Sequence, residues 1–160
     1  MNLTETVVAT SLLSLLASWA WPSWQQASQH TLIRQRAMAL QRDVQWAQWQ
    51  ALRTHQPIRI EPLPACASAA TGSWSCGWQL RTATPAAKRL RVHAVSPTVA
   101  TVVMAQAQGW QIDDQGYWAS GALRVEFAPA ASPSPSSPTL TACIANTGRW
   151  RFQLGRGCSS

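Results

Sequence analysis

The sequence predicts an α+β fold in which one long N-terminal helix packs against an antiparallel β-sheet. Residues 25–54 contain no glycine or proline and repeat apolar residues at helical spacing. Short alternating segments separated by turn residues follow from Pro57 onward, which is typical of antiparallel strands. A chain of 160 residues is long enough for one such domain with an appended helix.

The helix predicted over residues 25–54 is amphipathic. Its apolar stripe, in alternating steps of four and three residues, is Ile33, Ala37, Leu40, Val44, Ala47 and Ala51. The arginines off this stripe are Arg34, Arg42 and Arg53. Trp46 and Trp49 border the stripe, and we expect both to pack on the globular part. Pro57 ends the helix.

Seven strands are predicted in the remainder of the chain. They are Pro57–Leu63, Trp78–Thr82, Arg89–Ala94, Ala100–Met104, Ala122–Phe127, Leu140–Ala145 and Arg149–Leu154. The alternation is clearest in Leu123–Phe127, as expected for a strand with one buried face. The segment Ala128–Pro138 is rich in proline and serine and predicts a loop.

The composition argues against an enzyme and for an anionic partner. Charged residues are only 12%, and 13 Lys and Arg stand against 6 Asp and Glu, a net charge of +7. Six carboxylates and the dispersed His30, His55 and His93 leave little material for acid–base or metal chemistry, so we expect no catalytic residue, metal or cofactor. The excess of positive charge favours nucleic acid, acidic lipid or an acidic protein, although it also serves solubility alone.

The N-terminus predicts a segment within a membrane. Val7–Trp21 holds eleven apolar residues in fifteen and no charge. As a helix it would span roughly 22 Å, and extending it back to Met1 gives roughly 32 Å, enough to cross a bilayer with Glu5 inside. A cleavable secretory signal fits less well, because no Lys or Arg precedes the run. We therefore expect residues 1–24 to form a membrane and assembly helix and residues 25–160 a globular domain.

The four cysteines, Cys66, Cys76, Cys143 and Cys158, permit two disulfides in three connectivities. None forms a CxxC pair, so zinc is the weaker interpretation. Disulfides would require an oxidising compartment, and four buried free thiols are the alternative. Proximity along the chain favours Cys143–Cys158 and Cys66–Cys76.

The start of the chain resembles that of a mature type IV pilin or pseudopilin. Leu3, Glu5, the apolar run and Pro22 followed by Ser-Trp carry the resemblance. It implies a pilin-like fold, cleavage after a leader glycine by a prepilin peptidase, and methylation of the new amino terminus. Met1 stands where the family has phenylalanine, and no leader precedes it here, so we expect the chain to be the processed form or to start from a gene start placed too late.

The resemblance also implies roles for two residues of this helix. The Glu5 carboxylate would neutralise the amino terminus of a neighbouring subunit inside an apolar bundle and so fix the axial register. Pro22 lacks an N–H group, so it would bend or locally melt the helix.

Two further stretches are similar to FimT-type minor pilins and GspH-type pseudopilins. They are the cysteine-bounded segment Cys66–Leu80, which leads into Gly-Trp, and Thr147–Arg151, which lies where that group carries a G-R-x-R element. In FimT-type proteins the matching arginines contact DNA during natural transformation.

The C-terminal arginines are the predicted DNA-binding residues. Arg149 and Arg151 are two apart in a strand, so they share a face, while Trp150 and Phe152 would face the core. Arg156 and Gly148 complete the predicted site, and no acidic residue follows Glu126. Paired guanidinium groups suit the phosphates of double-stranded DNA in a sequence-independent way. The alternative is that they only discourage aggregation at an edge strand.

The sequence as a whole predicts a minor pilin of a Gram-negative type IV pilus that assists assembly and DNA uptake. Its expected partners are other pilin subunits, double-stranded DNA, inner-membrane lipid before assembly, and the prepilin peptidase. Its expected location is the inner membrane, as a single-pass protein with a periplasmic domain, and then the pilus filament outside the cell. The alternative is a GspH-type pseudopilin of a type II secretion system with no role in DNA binding. A membrane-tethered periplasmic enzyme lacks any nucleophile–base pair or metal cluster.

Overall fold

One helix and eight strands make up the described part of the chain. The computed structural model describes residues 3–64, 74–95, 98–104, 109–130 and 137–158. The helix is α1 (Leu3–Thr54). The strands are β1 (Ile58–Pro62), β2 (Gly77–Thr82), β3 (Arg89–Ala94), β4 (Val99–Met104), β5 (Trp110–Ile112), β6 (Leu123–Pro129), β7 (Leu140–Ile144) and β8 (Trp150–Leu154). All seven predicted strands are present, with ends displaced by at most two residues.

The strands form two four-stranded antiparallel sheets, whereas one sheet was predicted from the sequence. The orders are β3-β2-β1-β5 and β4-β6-β7-β8. The chain changes sheet after β3, because β4 pairs with β6 from Val99 opposite Pro129 to Met104 opposite Arg124. Helix α1 contacts strands of both sheets, so one apolar stripe covers both. The eighth strand, β5, was missed because three residues are too short to show an alternation.

The predicted stripe of α1 is confirmed, since all six of its residues are at most 3% exposed. Trp46 packs against the core as expected. The expectation for Trp49 was wrong, because its side chain is 55% exposed. Position 49 lies about 160° around the helix from Ala51, so it faces away from the sheets.

The N-terminal half of α1 is continuous with the amphipathic half. The helix is assigned on both sides of Pro22 and runs on to Thr54. No helical stretch in the described residues combines the length and the hydropathy of a membrane span. The membrane-spanning role of residues 1–24 therefore stays a prediction.

Tryptophans fill much of the core between α1 and the sheets. Trp74 stacks on Trp110 with ring centroids 4.5 Å apart, and Trp118 packs on Trp110 at 5.5 Å. All three are less than a tenth exposed. Buried aromatic rings bring a large apolar area and so stabilise the contact between the elements that carry them.

A buried carboxylate fastens α1 to the first sheet. Asp43 is 2% exposed, and Trp78 Nε1 donates a 2.8 Å hydrogen bond to its Oδ2. Arg91 Nη1 lies 3.2 Å from Asp43 Oδ1, and His93 Nδ1 lies 3.3 Å from Oδ2. Burial lowers the pKa of His93, and although Asp43 opposes this shift, the positive charges of Arg36 and Arg91 add to it. This network was not predicted from the sequence.

Candidate nucleic-acid interface

The turn between β7 and β8 sets the position of the predicted DNA-binding arginines. Gly148 N donates to Ala145 O at 2.8 Å, and Ala145 N donates to Arg149 O at 3.0 Å. Gly148 has φ +77°, which favours glycine, and a Cβ there would lie 3.4 Å from Trp118 Cβ. This bonding matches a short hairpin loop with a left-handed glycine before the second strand. Gly148 therefore fixes where β8 begins.

Arg149 immediately precedes β8 and Arg151 lies within it, and both line the same concavity, of about 650 Å³. Both side chains are exposed. In the described ranges, neither guanidinium forms an ion pair or a side-chain hydrogen bond. Two guanidinium groups whose N–H donors have no side-chain partner therefore lie at an edge of the sheet, since β8 is the last strand in its order.

The Cys143–Cys158 disulfide closes this region. The two Cα atoms are 5.9 Å apart, and both cysteines line the concavity. The pairing expected from proximity along the chain is confirmed, and it ties the residues after β8 back to β7. Cys76 is also disulfide-bonded, but Cys66 lies outside the described residues, so the Cys66–Cys76 pairing stays a prediction.

Two further arginines lie near this hairpin, and the role of Arg156 in DNA binding stays a prediction. Arg156 is exposed but is not among the residues that line the concavity. Arg124 of β6 does line it, although this residue was not predicted from the sequence to belong to the site. The alternation of Leu123–Phe127 places Arg124 on the outer face of its strand. The strand pairing that brings Arg124 near β8 cannot be predicted from this alternation.

The inner side of β8 carries an apolar row that only partly reaches the core. Trp150 packs against the core, as predicted. Phe152 is 37% exposed and Leu154 is 81% exposed, so the prediction of a core position for Phe152 was wrong. An open groove of about 740 Å³ separates these side chains from Arg34 and Met38 of α1. At this edge strand, α1 is therefore not packed directly against the sheet.

The predicted assembly residues lie far along the chain from this interface. Glu5 and Pro22 are part of α1, and Met1 lies outside the described residues. Their roles in assembly stay predictions. In the part of the chain that the structure describes, no group of three or more His, Cys, Asp or Glu side chains is placed to hold a metal ion.

The fold is that of the type IV pilin superfamily, in which a long N-terminal helix packs on antiparallel strands. Two crystal structures of the type IV minor pilin FimU of Pseudomonas aeruginosa (strain PAO1) share it at 16% sequence identity, with TM-scores of 0.55 and 0.57. The matches cover 77% and 79% of this chain, and 92% and 90% of the FimU chains. No curated relative matches the chain.

The model of the family "Type II transport protein GspH" matches residues 36–157, and the chain belongs to this family. It is a minor pilin or pseudopilin of the class that builds type IV pili and type II secretion systems. The family implies contact with other pilin subunits, and its characterised relatives are structural proteins.

Proposed function

We propose that the protein is a minor pilin of a type IV pilus that binds double-stranded DNA by its phosphate backbone during natural transformation. The observation that carries this proposal is the pair Arg149 and Arg151, which line one concavity on a disulfide-closed hairpin. Neither has an acidic partner among the described residues. The similarity of Thr147–Arg151 to the FimT-type element supports the same ligand.

The chemistry of the interface favours phosphate over bases. Each guanidinium can donate two parallel hydrogen bonds to phosphate oxygens, and the net charge of +7 adds a general attraction to DNA. Reading a sequence requires side chains that enter a groove or aromatic rings that stack on bases. Trp150, the aromatic residue between the two arginines, packs toward the core instead. Binding is therefore independent of sequence.

We further propose that residues 1–24 reside in the inner membrane until a neighbouring subunit takes the place of lipid. Exposed Val7, Val8 and Leu12 on α1 support an apolar neighbour along this helix. Glu5 would pair with a neighbour's amino terminus, and Pro22 would let the helix bend during packing. A prepilin peptidase would produce and methylate the terminus at Met1.

A type II secretion pseudopilin is the second candidate, and the description of the matching family favours it. In that function the subunit contacts other pseudopilins, and the arginines of the hairpin bind no DNA. Genes that adjoin the coding sequence, for pilus assembly and competence or for secretion, separate the two candidates.

The DNA proposal is tested by fluorescence anisotropy with the full chain in neutral detergent and a labelled duplex of mixed sequence. We expect R149A/R151A to lower the affinity about a hundredfold, because two charge-assisted contacts are lost. The control R34A/R42A removes the same charge from exposed positions of α1 and should change the affinity far less. Equal losses in both variants would show general attraction only and contradict a site at the hairpin.

A further inference from the structure

We propose that Arg124 is a third phosphate-binding residue of this interface, so that DNA is bound from both sides of the Cys143–Cys158 disulfide. The proposal rests on the proposed function and deepens it, because it extends the ligand site from one hairpin to three strands. Arg124 lies 25 residues before Arg149 and outside the G-R-x-R element.

The strand register brings Arg124 to the site. Arg124 pairs with Cys143 between β6 and β7, and Cys143 pairs with Arg151 between β7 and β8. The three residues therefore form one row across the outer face of the sheet. Neighbouring strands are about 4.8 Å apart, so the Cα atoms of the two arginines are roughly 10 Å apart. Extended arginine side chains can meet over that distance on the phosphates of one strand.

The surroundings of Arg124 hold its side chain without using all its donors. Its Nε is buried and lies 3.3 Å from Glu126 Oε1, without the alignment of a hydrogen bond. Among the described residues, the terminal nitrogens of Arg124 have no acceptor. Glu126 thus keeps the guanidinium on this face and partly cancels its charge, while two nitrogens stay available to an anion.

The arrangement of the three arginines fits a chain of phosphates. Arg149 and Arg151 follow the direction of β8, and Arg124 lies across the sheet from them, so the charges mark the corners of a triangle around the disulfide. Such a fixed array can contact successive phosphates of one DNA strand, each through a charge-assisted hydrogen bond. We therefore favour the DNA backbone over isolated phosphate headgroups.

The test compares R124A, R124K and R59A in the anisotropy assay with the full chain in detergent. R59A is a matched control, because Arg59 also precedes a glutamate by two residues in a strand and lies 3.7 Å from that glutamate, Glu61. We expect R124A to bind the duplex about tenfold more weakly and to reduce the steepness of the salt dependence by about 0.9. R124K should fall between R124A and the wild type, and R59A should stay within about twofold of the wild type.

A second variant raises the affinity instead of lowering it. E126Q removes the carboxylate that partly neutralises Arg124, and we expect duplex binding to tighten about threefold. If R124A fails to fold, as judged by near-ultraviolet circular dichroism, the duplex affinities of E126Q and R124K still test the inference. An unchanged affinity in both would then contradict the inference.

The remaining outcomes distinguish this inference from the proposed function. If R149A/R151A loses binding while R124A binds like the wild type, the inference is wrong and the function stands. A wild-type chain that does not bind the duplex contradicts both. If R124A weakens binding only to phosphatidylglycerol vesicles and leaves duplex binding unchanged, Arg124 binds lipid and the inference is wrong.

Discussion

Arg151 lies directly opposite Cys143 in the antiparallel ladder of β7 and β8. The cysteine is joined to Cys158, so the segment after β8 is tied down beside this guanidinium. An arginine on an edge strand would otherwise lose side-chain and backbone entropy when it binds a ligand. In the proposed DNA-binding role, the disulfide and the glycine turn would reduce this cost, because they order the chain before a ligand binds.

Removal of the disulfide should weaken both the fold and the interface. Cys143 and Cys158 are 15 residues apart, and a crosslink of that length stabilises a fold by about 3 kcal/mol. We expect C143S/C158S to lower the free energy of unfolding by about this amount and the duplex affinity several-fold, although every arginine is retained. Urea unfolding and anisotropy measure the two effects. Unchanged affinity in a folded variant would show that the disulfide does not order the site.

Substitution of Gly148 should act through the backbone. At φ +77° an alanine costs about 1 kcal/mol, and G148A should be destabilised by about that amount and bind DNA more weakly because β8 begins differently. Asparagine tolerates the left-handed region, so G148N is the matched control and should retain most of the stability and affinity. Equal behaviour of the two variants in thermal unfolding would contradict a conformational role for this glycine.

Asp43 should be important for stability and irrelevant to DNA binding. D43A leaves the indole N–H of Trp78 buried without its acceptor, which costs about 2 kcal/mol. Urea unfolding followed by tryptophan fluorescence measures the loss. D114A, at an exposed position, is the control and should be close to neutral. A D43A variant with the same free energy of unfolding as the wild type would mean that water replaces the carboxylate as the acceptor for Trp78 in the core.

His93 should make the fold sensitive to mild acid. Its pKa is lowered in the folded state, first by burial, so just below pH 6.5 the unfolded chain binds more protons than the folded one. His93 therefore contributes to stability above pH 6.5, and this contribution is lost as the pH falls below 6.5 toward the lowered pKa of the folded state. H93Q should show a shallower decline of the urea midpoint between pH 7 and 5.5. The exposed control H30Q should decline like the wild type, and identical profiles for all three proteins would contradict the assignment.

The local parts of this fold could be predicted from the sequence, and the long-range parts could not. The helix stripe through Leu40 and the alternation around Val125 are periodic signals within one element. Which strands pair depends on contacts across the whole chain, so the division into two sheets and the place of Arg124 were missed. Asp43 was missed because nothing local distinguishes a buried carboxylate from a solvated one on a polar helix face.

The same distinction applies to the candidate site. Arg149 and Arg151 were found together because residues two apart in a strand share a face. The degree to which α1 covers β8 cannot be read from that alternation, which explains why Phe152 was assigned to the core although it is partly exposed.

The salt dependence of duplex binding by the wild type and R149A/R151A tests the central claim most directly. If the interface neutralises three phosphates, the logarithm of the association constant should fall against the logarithm of the salt concentration with a slope of about −2.7. Loss of two arginines should bring this slope to about −0.9. Equal slopes for the two proteins would contradict the claim that this hairpin binds the DNA backbone.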